Sequence, residues 1–275
     1  QLIKKNGNII TDEKISEYKQ IKKIASNKNL NLFSLLDKKN NFQFLSHQFE
    51  NEAQLLKIKY NNSIHNIKLN LIGKVQLKNI LMAIIAAIKS DISIKDILKV
   101  IPRIKSVDGR FEKIGKIKNN SKIILDYAHT PDALKTCLKN LKEQFPGHKV
   151  SLVFGCGGNR DSNKRSKMGK IADYFSDKIY LTDDNPRLEQ PSKIRKDIKK
   201  GIKKQKISEI PNRAKAISEA IKNLNTGEIL LVAGKGHETI QEIGKKKIFF
   251  SDKKIILNAI KIKNITLSNN LKANI

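Results

Sequence analysis

From residue 122 to residue 262, short apolar runs alternate with segments of helical length and spacing, and this rhythm restricts the possible folds more than any other feature of the chain. The runs at 122–125, 149–154, 178–181, 206–210 and 228–233 are strand-sized and rich in Ile, Leu and Val. Between them, 131–144, 164–175, 191–203 and 212–223 carry helical spacing, and a last helix is expected at 252–262. Alternation of this kind predicts an α/β domain: a doubly wound, mainly parallel sheet covered by helices on both faces. Ligands in such folds bind beyond the carboxyl ends of the strands, so the residues that follow each strand are where chemistry is expected.

Four of these strand ends carry unusual residues. The first run leads into DYAHTPDAL, where Pro131 opens a helix and Thr130 is placed to cap it. Asp126 and His129 then suit either a ribose or phosphate contact or a self-contained capping network. The second leads into FGCGGNRDSNKR, whose three glycines would let the backbone approach a ligand and whose following helix offers N–H groups to an anion. It is not a Walker A loop. The third leads into LTDDNPRLEQP, with Asp184, Asn185, Pro186 and Arg187, which alone reads more readily as a polar Asp-Asn-Pro turn than as a site. The fourth leads into VAGKGHET, with Gly234 and Glu238. There Lys235 and His237 have the chemistry of a base or metal ligand, although a loop histidine is more often a hydrogen-bonding group. Arg160 and Arg187 stand out because only seven of the 55 basic residues are arginine. An arginine grips a carboxylate or phosphate with two prongs in a way that lysine cannot copy. Two arginines, loop aspartates, an asparagine and a glutamate together suit a small zwitterion with more than one carboxylate.

Upstream the pattern is weaker. A helix is expected at 13–26, followed by strands at 31–36, 42–45, 55–60 and 64–71 separated by Asn and Lys turns. The stretch GKVQLKNILMAIIAAIKS puts small and apolar residues on most faces of a helix at 77–89, which is expected to be buried; a second helix at 94–101 should end at Pro102. Asn79 reads as a ligand-holding amide or as a helix cap. Residues 104–110 read as a connector, with Gly109 supplying a sharp backbone change.

The net charge of +29 invites a nucleic-acid reading, but the lysines are scattered beside abundant Ile and Asn, and the 5% aromatics are not interleaved with them, so no nucleic acid is expected as partner. The longest apolar run, Ile80 to Ile88, is too short to span a bilayer, and no signal segment is seen, so a cytoplasmic protein without membrane contact is expected. Cys137 and Cys156 have neither disulfide nor metal-ligand spacing, which fits a reduced compartment.

The motifs DYAHTPDAL, GCGGNRD, DNPR, RAKAI at 213–217 and AGKGHE, in this order, resemble the C-terminal half of the Mur ligase family over about residues 70–262. The resemblance implies an ATP-dependent amide-bond ligase of peptidoglycan synthesis that uses Mg2+. In the family a carboxylate of the UDP-linked substrate is phosphorylated by ATP, and an incoming amino group attacks the acyl phosphate. DNPR resembles the diaminopimelate-adding members, which act on UDP-MurNAc-L-Ala-D-Glu. Their meso-diaminopimelate contacts map onto Arg160, Asp184, Asn185, Pro186, Arg187, Gly234 and Glu238. Their nucleotide contacts map onto Asn79, Arg110, Asp126 and His129.

Two departures from the family pattern follow. Val75 and Gln76 stand where the central-domain pattern has Phe and Asn. No P-loop, carbamylated-lysine context or UDP-binding domain is present, so the catalytic residues are expected upstream of residue 1. The expected organisation is therefore residues 1–107 as the end of an ATP-binding domain and 108–275 as a whole amino-acid-binding domain, monomeric and inactive by itself. Two rivals are a non-catalytic amino-acid-binding module and a basic nucleic-acid binder. An in-frame G-T-N-G-K-T-like loop upstream would favour the enzyme over the module, and steeply salt-dependent DNA binding would favour the nucleic-acid binder.

Overall fold

A computed structural model describes residues 3–35, 41–203 and 207–273; residues 36 and 206, at the edges of two expected strands, lie outside them. The chain divides into two compact units, Gln1–Lys105 and Ser106–Ile275.

In the first unit, β1 (Asn8–Thr11) and β2 (Asn31–Ser34) pair in parallel, with α1 (Tyr18–Asn27) between them in sequence. An antiparallel meander follows: β3 (Phe42–Glu50), β4 (Ala53–Tyr60) and β5 (Ser63–Leu69). Its turns place Asn51, Asn61 and Asn62 at positive φ, where asparagine is tolerated better than most residues. The helix α2 (Lys74–Ile88) buries one stripe, Leu77, Ile80, Leu81, Ile84 and Ile85, against Leu56, Ile58, Ile67 and Leu69. The expectation of a helix buried on most faces is corrected here: Val75, Lys78, Asn79 and Ala83 are exposed. The capping role for Asn79 is corrected as well, since Gly73 occupies the cap position and Asn79 sits beyond the first turn. Ser93 caps α3 (Ile94–Val100) by accepting the N–H of Asp96 at 3.2 Å. Pro102 does not stop the chain dead; it sits in one further 3-10 turn, where its missing N–H is harmless.

The second unit is built on a six-stranded sheet in the order β10-β9-β8-β11-β7-β6. Its strands are β6 (Glu112–Lys113), β7 (Lys122–Asp126), β8 (Val150–Phe154), β9 (Lys178–Leu181), β10 (Ile207–Glu209) and β11 (Ile229–Ala233). All pair in parallel except β6, a short antiparallel edge that the sequence did not reveal. The helices are α4 (Pro131–Gln144), α5 (Asn163–Phe175), α6 (Pro191–Lys199), α7 (Arg213–Lys222) and α8 (Asp252–Ala273). Every residue of β8 and β11 is buried, as continuous apolar strands between two helical layers require. On one face Ile123, Leu125, Val153, Leu230 and Val232 pack with Ala216, Ile217 and Ala220 of α7 and with Ile256 and Ile260 of α8. The intervening Ile124, Leu152 and Leu231 are also fully buried, and α4 packs on β8. A hairpin of β12 (Ile240–Ile243) and β13 (Lys246–Phe249), not anticipated from the sequence, follows β11.

This topology matters for the site. The chain passes from β7 to β8 and leaves a gap that β11 later fills, so the carboxyl ends of β7, β8, β9 and β11 share one edge of the sheet.

Candidate functional site

The loop after β9 is the most heavily braced. Thr182 Oγ1 donates to the Pro211 carbonyl at 3.0 Å, and the Asp183 carboxylate pairs with Arg195. Burial pushes the Asp183 carboxyl up against the pull of Arg195. Gln241 Nε2 donates to the Asp184 carbonyl at 2.6 Å. Arg187 adopts φ +51°, an uncommon conformation for a residue other than glycine. Four contacts hold it there. Its N–H donates to the Glu242 carbonyl at 3.0 Å, its carbonyl accepts from Gly244 at 2.7 Å, its Nε meets Glu242 Oε2 at 2.7 Å and its Nη1 donates to the Gly158 carbonyl at 3.0 Å.

Two of the glycines after β8 let this loop come close. A Cβ on Gly155 would lie 2.3 Å from the Thr182 carbonyl oxygen, and one on Gly158 would lie 1.9 Å from that of Pro186. The two loops can approach this closely only because neither position has a side chain. Arg165 of α5, 1% exposed, ties them together from below through Glu189 at 2.9 Å and Asp197 at 3.2 Å. The first turn of α5 is already served in part, since Asn163 N–H donates to Asp161 Oδ1 at 2.9 Å. Arg160 is exposed and, among the described residues, makes no hydrogen bond or ion pair.

Past β11, Gly234 at φ +119° lets the Asp184 carboxylate in: a Cβ would stand 2.7 Å from its Oδ2. Arg213, fully buried, donates through Nε and Nη2 to Asp252 at 2.8 and 2.7 Å and through Nη2 to the Ala233 carbonyl at 3.0 Å. Its Nη1 has no hydrogen-bond partner and faces Asp184 Oδ2 at 4.0 Å. Lys235 is buried and bonded to Asn185, Glu238 and the Ile240 carbonyl. Asn185 Nδ2 donates to Glu238 Oε2 at 3.2 Å. A cleft of about 260 Å3 results, lined by Asn185, Arg187, Glu238, Ile240, Glu242 and Lys247 among others. Two cations and two carboxylates on its walls fit a zwitterion.

The loop after β7 forms the other end. Asp126 accepts the backbone N–H of Phe111 at 2.7 Å on one oxygen; on the other it accepts that of Ala128 at 2.8 Å and the Cys137 thiol at 3.3 Å. Phe111 itself is at φ +48°, a strained position that this carboxylate helps hold. Burial and the charge of Asp126 push the Cys137 thiol far up, and burial pushes the Cys156 thiol to about 12, so neither is a nucleophile. Tyr127 carries Arg110 over its ring at 4.5 Å and packs edge-on to His129 at 4.6 Å and tilted to His237 at 5.6 Å. Burial first, then the neighbouring charge of Glu238, pushes its phenol up. Arg110 and His129 are exposed beside it.

The structure thus brings Asn185, Arg187 and Glu238 to one cleft, with Pro186 in the loop behind and Asp184 and Gly234 packed together beneath it. Arg160 stands near Gly157 at the same edge of the sheet, whereas Asn79 belongs to the first unit. Residues passed over from the sequence are Glu242, Gln241, Tyr127 and Lys247. Nothing in their local pattern marks them, because they reach the site through a hairpin and a loop that only folding brings in.

An α/β domain with a charged cleft beyond its parallel strands has the arrangement in which folds of this class hold small molecules. Residues 109–236 match the family "Mur ligase, glutamate ligase domain". The chain is 40% identical to UDP-N-acetylmuramoyl-L-alanyl-D-glutamate–2,6-diaminopimelate ligase of Rickettsia montanensis over 94% of its own length and 53% of the relative's. It is 47% identical to the enzyme of the same name from Buchnera aphidicola subsp. Baizongia pistaciae, over 70% of the chain and 38% of the relative. A solved structure of a UDP-N-acetylmuramoyl-L-alanyl-D-glutamate–2,6-diaminopimelate ligase superimposes with a TM-score of 0.67 at 28% identity, covering 94% of this chain and 53% of that one. MurF ligase from Thermotoga maritima in complex with ADP shares the fold, with a TM-score of 0.65 at 16% identity over 96% of this chain and 55% of that one. The chain belongs to the Mur ligase family. It spans about half the length of the curated relatives it matches.

Proposed function

We propose that this chain is the amino-acid-selecting part of an ATP-dependent ligase that adds meso-diaminopimelate to UDP-N-acetylmuramoyl-L-alanyl-D-glutamate. The observation that carries the reading is the cleft at Asn185, Arg187 and Glu238, in which a guanidinium and a carboxylate face one small volume. Diaminopimelate has two carboxylates and two ammonium groups. Arg187, preset by Glu242 and Gly158, is suited to a carboxylate, and Glu238 is suited to an ammonium. Arg160, exposed and without an ion pair among the described residues, is suited to a second carboxylate.

ATP, when bound, supplies the phosphoryl group that activates the acceptor carboxylate. Arg110 and His129 are exposed polar groups at the end nearest β7 that fit a nucleotide; Asn79, in the first unit, is exposed on α2. Asp126 supports that end from within, its oxygens taken up by backbone N–H groups. No group of three or more His, Cys, Asp or Glu that could hold a metal ion occurs among the described residues, and no step is assigned to Mg2+ here. No described helix is long and apolar enough to cross a membrane.

Titration of the purified chain with meso-diaminopimelate and with L-lysine tests the reading. Diaminopimelate should bind at least about tenfold more tightly, because lysine leaves Arg187 without its carboxylate. Equal affinity would refute the assignment.

A further inference from the structure

Lys235 was open to two roles by its chemistry, base or metal ligand, and its surroundings exclude both. It is 0% exposed, and a buried ammonium is tolerated only when its protons are matched. All three are: Nζ donates to Asn185 Oδ1 at 2.9 Å, Glu238 Oε2 at 3.1 Å and the Ile240 carbonyl at 2.6 Å. No proton is left over for a reacting group. What Lys235 acts on is its neighbours.

An ammonium has no acceptor, so the amide atom that faces it must be the oxygen. The backbone N–H of Glu242 reaches the same Asn185 Oδ1 at 3.1 Å. Turning the amide over would set its N–H2 against two donors. Asn185 Nδ2 is therefore directed at Glu238 Oε2, 3.2 Å away, and that oxygen also takes Lys235. The Glu238 side chain remains one-third exposed, on the wall of the cleft.

We propose that Lys235 is a positioning residue for the incoming amino acid: from beneath the cleft it sets the amide orientation of Asn185 and anchors one oxygen of Glu238, so that this carboxylate is presented to an ammonium group. The inference rests on the reading of the cleft as the diaminopimelate site. It assigns the lysine of the AGKGHE motif to substrate orientation and not to proton transfer.

The test uses Lys235→Met in the 275-residue chain with two readouts. The first is calorimetric affinity for meso-diaminopimelate, expected to fall about 30- to 100-fold as two charge-assisted bonds are lost. The second needs no ligand: amide exchange at Glu242, whose N–H rests on Asn185 Oδ1, should speed at least about tenfold while Leu230 and Leu231 of β11 keep their protection. Lys235→Gln, neutral but still able to donate to Asn185, should recover part of both, and it carries the same two readouts should Lys235→Met fail to fold. Unchanged exchange at Glu242 in a folded variant overturns the proposal, as does exchange that speeds equally throughout β11. Unchanged affinity in a folded variant does so too. A wild-type chain that does not bind diaminopimelate refutes the substrate reading instead, and the exchange result then decides the positioning role by itself.

Discussion

The loops at the two ends of this strand edge spend their polar groups differently. After β7, Asp126 turns inward: both oxygens take N–H groups, and the rim that remains is exposed Arg110 and His129 with half-buried Tyr127. After β9 and β11, deep contacts are made by Arg213, Asp252, Lys235 and Gln241, and Arg187, paired with Glu242, and Glu238, anchored through one oxygen, line the cleft. One end is self-closing and the other is preorganised for a ligand. A carboxylate in a motif can therefore be either a bolt or a hand, and only its partners tell which.

The largest effect should come from breaking the support under the preorganised end. Arg213→Met leaves Asp252 buried without its counter-charge and should cost about 3 to 5 kcal/mol, read by urea unfolding. A cost below about 1 kcal/mol would mean that Arg213 is not the anchor described. Next, Asp126→Ala strands two N–H groups and should lower stability by about 2 to 3 kcal/mol. Were stability to hold while nucleotide affinity alone dropped, the self-closing picture of the β7 end would be wrong. Arg187→Ala should do the converse, weakening diaminopimelate binding by about 1.5 to 3 kcal/mol while calorimetric unfolding shifts by less than about 1 kcal/mol.

The smallest effect concerns Glu189, which joins the β8 and β9 loops. The Asn159 N–H first, then Arg165, holds its carboxyl below the usual 4.5. A depressed folded value means that its stabilisation is present above the ordinary range and lost as pH falls through the lowered value. Glu189→Gln should therefore differ from wild type by about 0.5 to 1 kcal/mol at neutral pH, with the gap closing in acid. A gap that widened on acidification would reverse the assigned sign.

Much of the second unit was legible because its signals are local. The run at 178–181 matches β9 residue for residue, Pro131 opens α4, Thr130 caps it, and the apolar strands declare burial on both faces. Legibility failed where partners are remote in sequence. The glycines of 155–158 read as room for a ligand, yet the space beside Gly155 and Gly158 is filled by the backbone of 182–186. The hairpin at 240–249 was missed because both strands are only four residues long, β12 with two polar residues between isoleucines and β13 exposed with two lysines, and with it went Glu242, the ion-pair partner of Arg187. In the first unit, α2 read as buried on most faces because exposed alanine and core isoleucine read alike in a composition window.

By itself, the sequence determined the strand-helix order, the parallel sheet and the strand ends at which charge collects, since periodicity and turn chemistry act between near neighbours. Only the tertiary structure decided which charges face one another. The insertion of β11 between β7 and β8 brings Lys235 and Glu238 to Asn185 across about 50 residues of chain, and hydrogen bonds over such a separation leave no periodic trace.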